Sequence, residues 1–152
     1  MIMSNIIIVL ALFFGMSTFD SRKGVAMAYM HPEDILRTNA GWYYIWDTCQ
    51  KDKCVPMSYQ GEDPNLPSDY SDYILLFNEP NSQTSISPTG AVDMYVYLSS
   101  KYPNAKWVVG NTIFWGNWQT WLKDFKDICQ AKEDCVVPKY WGVHVYIRQA
   151  NQ

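Results

Sequence analysis

The residues best suited to chemistry form the FNEPN segment, residues 77–81, which follows the most apolar run of the chain, residues 73–77. A carboxylate directly after a buried strand lies at the mouth of the sheet, where loss of water raises its pKa and keeps it protonated near neutral pH. Protonating the leaving oxygen of a sugar requires such a group. Glu79 is therefore a candidate general acid, and the Asn78 amide can hydrogen-bond a sugar hydroxyl. A turn in which Glu79 is simply solvated is the alternative interpretation.

Other polar and aromatic side chains follow predicted strands and are expected near Glu79, because the carboxyl ends of parallel strands share one edge of the sheet. The candidate substrate-binding residues at this edge are Asn78, Trp46, Asn111, Trp115, His144 and Tyr146. For His144 the alternative is a hydrogen-bonded core histidine, and Trp115 fits core and site equally well. Trp118 and Trp121 fit the buried stripe of a helix, so we predict that they belong to the core.

The elements that must position these residues are short apolar runs alternating with helical patterns. The predicted strands are residues 24–29, 41–46, 54–59, 73–77, 106–110 and 140–146. A first helix is predicted over residues 31–38, where Pro32 stands at a first helical position. A second helix begins at Pro88 with Ser87 as its N-cap. Its predicted buried stripe is Ala91, Met94, Tyr95 and Leu98.

A third helical pattern precedes the last predicted strand, with Trp118, Trp121, Leu122, Phe125 and Ile128 at helical spacing. Alternating strands and helices predict an α/β fold with a parallel sheet. An open doubly wound sheet and most of an eight-stranded barrel both fit, but polar residues beyond several strand ends favour the barrel. No Gly-rich phosphate loop follows the first strand, so nothing supports a dinucleotide site.

Composition limits the partners. The 152 residues fit a single domain, and 12 basic against 15 acidic residues give a net charge of −3. This balance argues against nucleic acid as a partner and against polybasic attachment to a membrane. Seven Trp, eleven Tyr and six Phe make 16% of the chain aromatic, which suits stacking on an uncharged polar ligand better than binding phosphate.

The N-terminal region and the cysteines indicate export. Residues 1–23 are predicted to be a signal peptide or another leader, because the uncharged run 6–16 is shorter than the about 20 residues that span a bilayer. No Lys or Arg precedes that run, and an uncleaved anchor is the alternative. The cysteines form two local pairs, and we predict two disulfides, since neither spacing matches the usual zinc motif. The pairs are Cys49 with Cys54 and Cys129 with Cys135.

Four motifs in order resemble the glycosyl hydrolase catalytic-core family, which includes alkali-sensitive-linkage-type proteins and endo-β-1,3-glucanases. They are GWYYIW, VPM, LLFNEPN followed by SISP, and GVHVY, within residues 24–146. The resemblance implies a retaining (β/α)8 TIM barrel acting on a β-glucan, without a cofactor or metal. It implies that Glu79 is the acid/base with Asn78 supporting the sugar. It also implies that Trp46, His144 and Tyr146 line the subsites, and that the nucleophile is a Glu at the end of strand seven.

The chain departs from that family pattern in length. Complete barrels need at least about 200 residues, and we expect an incomplete barrel domain over residues 24–152, with about six βα units and strands seven and eight absent. Residues 135–152 contain no acid, so the nucleophile is expected to be missing from this chain. Asp47 is the other acid at the correct edge, whereas Glu62 and Asp63 are expected at the opposite end.

The sequence therefore predicts a secreted or extracellular glycoside hydrolase, with the cell wall as one location and no stable membrane association after leader removal. The missing nucleophile puts catalysis by this chain alone in question. The alternative is a non-catalytic, secreted glycan-binding protein derived from the same fold.

Overall fold

The computed structural model describes residues 24–26, 40–47, 49 and 53–146. The predicted leader and the predicted helix 31–38 lie outside these residues. In chain order the elements are β1 Gly24–Ala26, β2 Trp42–Tyr44, β3 Met57–Ser58, β4 Tyr73–Leu76, α1 Pro88–Lys101, β5 Lys106–Ile113, α2 Trp118–Ala131 and β6 Tyr140–His144.

All strand pairs are parallel, and each strand pairs with its neighbour in the chain. β1 pairs with β2, and β3, β4, β5 and β6 form a four-stranded sheet in that order. A parallel bridge between Tyr43 and Cys54 connects β2 to the segment that leads into β3. The described strands show no reversal of order, whereas a doubly wound sheet reverses at its switch point. The fold is thus α/β with a parallel arrangement, and its strand order does not support the doubly wound interpretation.

The sheet buries a different cluster on each face. In β4, Ile74 and Leu76 pack with α1 and α2 in a cluster that also contains Trp107 and Phe125. The alternate residues of β4 point to the opposite face, where the cluster consists of Trp42, Tyr44, Met57, Tyr73, Leu75 and Val108. We call the first the helix-covered face and the second the aromatic face. All four residues of β4 are buried, as expected for a strand covered on both sides.

Helix α1 begins as the sequence predicts, because the Ser87 side chain accepts a hydrogen bond from the Gly90 amide at 3.2 Å. Its buried residues are Ala91, Val92, Tyr95 and Leu98. The prediction that Met94 is buried is wrong, since its side chain is 37% exposed. Met94 lies instead over Gly61, where a Cβ atom would come within 2.5 Å of the Met94 sulfur. Ala91, Tyr95 and Leu98 are buried as predicted, and Val92 is buried in place of Met94.

Helix α2 packs through one aromatic stripe. Trp121, Phe125 and Cys129 are buried, and the Trp121 and Phe125 rings stack at 5.7 Å. Trp118, Leu122 and Ile128, which the sequence places in the same stripe, are half-buried. Neither described helix is long and apolar enough to cross a membrane.

Two local disulfides join the cysteine pairs that the sequence predicts. Cys129 at the end of α2 is bonded to Cys135 in the loop before β6, with Cα atoms 5.2 Å apart. Cys49 is bonded to Cys54, with Cα atoms 6.1 Å apart. Both bonds close short loops that connect elements of the sheet and its helices.

Several predicted strands differ in length from the structure. β2, β4 and β6 are shorter than the predicted 41–46, 73–77 and 140–146. β3 has only two residues rather than the six of 54–59. β5 extends beyond the predicted 106–110 to Ile113, through a register irregularity between Gly110 and Thr112. An apolar run gives no sign of this extension, because the added residues include the polar Asn111 and Thr112.

Candidate active site

Glu79 is positioned by a tightly held backbone at the carboxyl ends of β4 and β5. Strand β4 ends because Phe77 adopts a left-handed φ of 69°, and Glu79 itself has a φ of 48°. The amide of Phe77 bonds to the Ser58 carbonyl and the amide of Glu79 to the Asn111 carbonyl, at 2.9 and 3.0 Å. Left-handed backbone at residues other than glycine costs about 1–3 kcal/mol and persists only where neighbours enforce it. The strain therefore marks this turn as a functional candidate.

The carboxylate of Glu79 is buried and held by two side chains from the end of β6. Only 1% of Glu79 is exposed. Its Oε1 atom lies 3.1 Å from His144 Nδ1 and accepts a hydrogen bond from the Tyr146 hydroxyl at 2.5 Å. His144 is itself buried, so its ring is fixed against the carboxylate. The interpretation of Glu79 as a merely solvated turn residue is therefore wrong.

The protonation of Glu79 is the balance of opposing influences. Burial, the largest, raises the pKa of Glu79, whereas the hydrogen bonds from His144 and Tyr146 and the charge of His144 lower it. The lowering influences prevail, so the pKa lies below its usual value. The prediction that burial keeps this carboxyl protonated near neutral pH is wrong, because the sequence could not reveal the two donors that face it.

An open cleft of about 430 Å³ lies beside this carboxylate. It is lined by Trp46, Tyr59, Asn78, Gln83 and Tyr146. The Asn78 amide nitrogen donates to Gln83 Oε1 at 2.9 Å, and the Tyr59 hydroxyl donates to the same oxygen at 3.1 Å. The Asn78 Oδ1 atom is buried and has no hydrogen-bond partner among the described residues. An unpaired buried acceptor is unfavourable.

Asn111 supports the site from beneath. Its amide nitrogen donates to the carbonyls of Leu76 and Phe77 at 2.9 and 3.1 Å, and Asn111 has a φ of 45°. The absence of a side chain at Gly142 is required here, since a Cβ atom would lie 2.0 Å from Asn111 Oδ1. These contacts give Asn111 a structural part in holding Glu79, and its contact with substrate stays a prediction.

Aromatic rings surround the mouth of the cleft. Trp115 is 53% exposed, and its ring lies 5.5 Å from that of Tyr146. Trp46 is half-buried and touches Tyr44 edge to face at 5.8 Å. Trp118 packs instead against Phe114. The structure thus brings Trp46 and Tyr146 to the cleft and places Trp115 beside it.

Four residues at or next to the site are not predicted from the sequence. Asn81 joins the turn after Glu79 to β5, bonding the Ile113 amide at 3.0 Å and the Ile113 carbonyl at 3.2 Å. Its place in the FNEPN segment was a usable signal. Tyr44 and Tyr59 carried a weaker signal, since each lies at or just beyond a strand end. Gln83 carried none, because a glutamine in a loop is ordinary.

The other acids do not complete a pair of carboxylates in the described residues. No carboxylate of the described residues lines the cleft, and Asp47 is exposed. Asp63 is bonded to Lys101, the last residue of α1, which agrees with its predicted position at the end of the sheet opposite Glu79. The expected position of Glu62 is wrong, because its carboxylate accepts bonds from the amides of Tyr59 and Gln60, both at 2.6 Å. Across the described ranges, no cluster of three or more His, Cys, Asp or Glu residues could hold a metal ion.

Comparison with known proteins gives one match. The model of a family described as glycosyl hydrolase catalytic core matches residues 24–152. No curated protein and no solved structure matches the chain.

Proposed function

The chain belongs to the glycosyl hydrolase catalytic core family, and from this premise we propose that it cleaves a β-glucan, with β-1,3 linkages, by a retaining mechanism. The observation that supports this most is the Glu79 carboxylate, buried and held by His144 and Tyr146 beside an aromatic-lined cleft. In the proposed reaction Glu79 is the general acid and then the general base. The reaction needs no cofactor.

The proposed architecture is part of a (β/α)8 barrel over residues 24–152. Parallel strands in chain order, with helices on one face and an aromatic cluster on the other, support this proposal. Barrel active sites lie at the carboxyl ends of the strands, where Glu79 lies. The two disulfides are compatible with an extracellular location, and residues 1–23 are proposed to be the leader that directs export.

The hydrogen bonds to Glu79 fit the charge that it acquires. When Glu79 passes its proton to the leaving sugar oxygen, a carboxylate forms, and both His144 and Tyr146 stabilise that charge at Oε1. A second carboxylate, which is proposed not to come from this chain, attacks the anomeric carbon and forms the glycosyl intermediate. Glu79 then takes a proton from the water that cleaves this intermediate. The same hydrogen bonds lower the pKa of Glu79, so before the reaction this carboxyl is protonated mainly at acidic pH.

The sugar is proposed to bind over the aromatic rings at the mouth of the cleft. Ring faces of Trp46, Tyr146 and Trp115 offer apolar contact, and Asn78 Oδ1 offers a buried acceptor. His144 and Asn111 are proposed to contribute to the same subsites. Open clefts lined by rings with a few fixed polar groups are typical of ligand sites.

A non-catalytic glycan-binding protein is the second candidate. Two observations favour it: the pKa of Glu79 is lowered rather than raised, and no carboxylate among the described residues lines the cleft. Both leave the rings and Asn78 able to bind sugar without cleaving it.

The test places the chain, with and without the Glu79→Gln substitution, in a barrel that supplies the second carboxylate, with a soluble β-1,3-glucan as substrate. Wild type in this form is expected to release reducing sugar with retained anomeric configuration. Glu79→Gln is expected to lose about 10²–10⁴-fold in rate, and less on an aryl glycoside whose leaving group needs no proton. Asp127→Asn, on the exposed side of α2, is the matched control and is expected to keep the wild-type rate.

Three results would decide against the proposal in different ways. Equal rates for wild type and Glu79→Gln would contradict the role of Glu79. Tight binding of the glucan by wild type, with no sugar released, would establish the glycan-binding candidate. Release from an α-glucan in preference to the β-glucan would overturn the substrate class.

A further inference from the structure

Two unpaired polar atoms of different character are buried near Glu79. The Tyr44 hydroxyl and Asn78 Oδ1 both lack a hydrogen-bond partner among the described residues. An amide oxygen can only accept a hydrogen bond, whereas a phenol hydroxyl can donate one as well as accept one. Native proteins rarely leave such groups unpaired, and each exception calls for an explanation. A bound ligand with both hydroxyl protons and hydroxyl oxygens would pair them both.

Tyr44 lies next to a residue that lines the cleft. It ends β2 on the aromatic face and is fully buried, and its ring touches Trp46, which lines the cleft. Burial raises the pKa of Tyr44, and the neighbouring Tyr146 and Glu79 raise it further. The phenol therefore stays protonated and able to donate throughout the physiological pH range.

We propose that the Tyr44 hydroxyl is a sugar-binding group that donates a hydrogen bond to a hydroxyl oxygen of the saccharide bound beside Glu79. The polarity of the two atoms fits this ligand class. An anion would not pair Asn78 Oδ1, because it brings no proton, and a metal cation would not accept the Tyr44 proton. A neutral polyhydroxyl ligand satisfies both. The inference rests on the proposed function and extends it to a residue from the GWYYIW strand.

The test uses Tyr44→Phe in the full chain, with a β-1,3-linked gluco-oligosaccharide as the probe. Removing a hydrogen bond to an uncharged partner is expected to weaken binding about five- to tenfold by calorimetry. Removing an unpaired buried hydroxyl is expected to leave the thermal unfolding midpoint unchanged or higher. Weaker binding without loss of stability is a result that a merely structural tyrosine would not give.

Tyr102→Phe is the matched control, because it makes the same change at a buried tyrosine whose hydroxyl is paired. That hydroxyl donates to Asp63 and accepts from the Leu66 amide. The control is expected to lower the unfolding midpoint and to leave oligosaccharide affinity unchanged.

The proposal for Tyr44 is overturned if Tyr44→Phe binds the probe as tightly as wild type, or if it loses stability or fails to fold. These outcomes leave the proposed function standing when the wild-type chain binds the probe. Failure of wild type itself to bind would overturn the proposed function, and with it this inference.

Discussion

The two ends of the parallel sheet are built differently. At the amino end, Asp63 is paired with Lys101 and Tyr102, and Lys106 lies 3.7 Å from Asp72. These charged groups are exposed or half-exposed and have partners of opposite charge. At the carboxyl end, Phe77, Glu79 and Asn111 have left-handed backbone, and a carboxylate is buried.

The contrast also appears in the hydroxyls of two tyrosines. Tyr102 at the amino end has two hydrogen-bond partners, whereas Tyr44 on the aromatic face has none. Pairing every polar group favours the folded state, while strain and unpaired atoms reduce stability. On the proposed function, stability and ligand contact belong to opposite ends of the same strands. Substitutions at the two ends should therefore have separable effects.

Glu79→Gln is expected to give the largest difference between an effect on activity and an effect on stability. The rate should fall about 10²–10⁴-fold, because glutamine has no proton to transfer. The free energy of unfolding should change by less than about 1 kcal/mol, since Gln keeps the size of Glu and an acceptor oxygen for Tyr146. Parallel assays of sugar release and urea unfolding check this. Loss of folding in Glu79→Gln would break the comparison, by showing that the carboxyl end also carries stability.

Gly142→Ala tests whether the carboxyl end tolerates any added volume. A Cβ atom there would lie 2.0 Å from Asn111 Oδ1, so Asn111 must move. Overpacking of this kind costs about 1–3 kcal/mol, and displacement of Asn111 should also reduce activity by releasing the Glu79 amide. Gly90→Ala, at the start of α1, is the control; its Cβ atom would lie 3.3 Å from Ser87 Oγ, so its effect should be much smaller than that of Gly142→Ala. Equal unfolding curves for Gly142→Ala and wild type would contradict the close packing.

Tyr146→Phe tests whether the hydrogen bond from Tyr146 controls the charge of Glu79 at the carboxyl end. Without the Tyr146 hydroxyl, one influence that lowers the pKa of Glu79 is lost, and the pKa should rise. A general acid works only while protonated, so the decline of kcat/KM with increasing pH should shift to higher pH. The pH profile of sugar release checks this. A shift to lower pH, or none, would show that Tyr146 does not control the charge of Glu79.

Asp63→Asn should have the smallest effect, at the amino end. The hydrogen bonds from Lys101 and Tyr102 lower the pKa of Asp63 to about 2. A lowered carboxylate pKa adds stability above the unfolded value of about 4, and this contribution is lost as pH falls toward 2. Because the pair is partly exposed, the variant should lose less than about 1 kcal/mol at pH 7. Urea unfolding at both pH values measures it, and sugar release should not change.

Much of the fold followed from local sequence. The apolar run before Glu79, the Ser87 cap and the short cysteine spacings each depend on a few neighbouring residues, and the structure shows β4, α1 and two local disulfides there. The exposure of Met94 could not be obtained in this way, because which side of a helix is buried depends on the loop that crosses it. The continuation of β5 through Asn111 was also hidden, since it depends on pairing with β6.

The sequence by itself determined which chemical groups are present and that they follow strand ends. Glu79, Asn78, Trp46 and Tyr146 could be chosen for this reason. Only the tertiary structure decided what those groups do to one another. His144 and Tyr146 reach Glu79 across 65 and 67 residues of chain, and their hydrogen bonds reverse the pKa direction that burial alone would give. A pKa is the balance of influences with opposite signs that act over a few ångströms, so it depends on distances in the folded chain rather than on residue types.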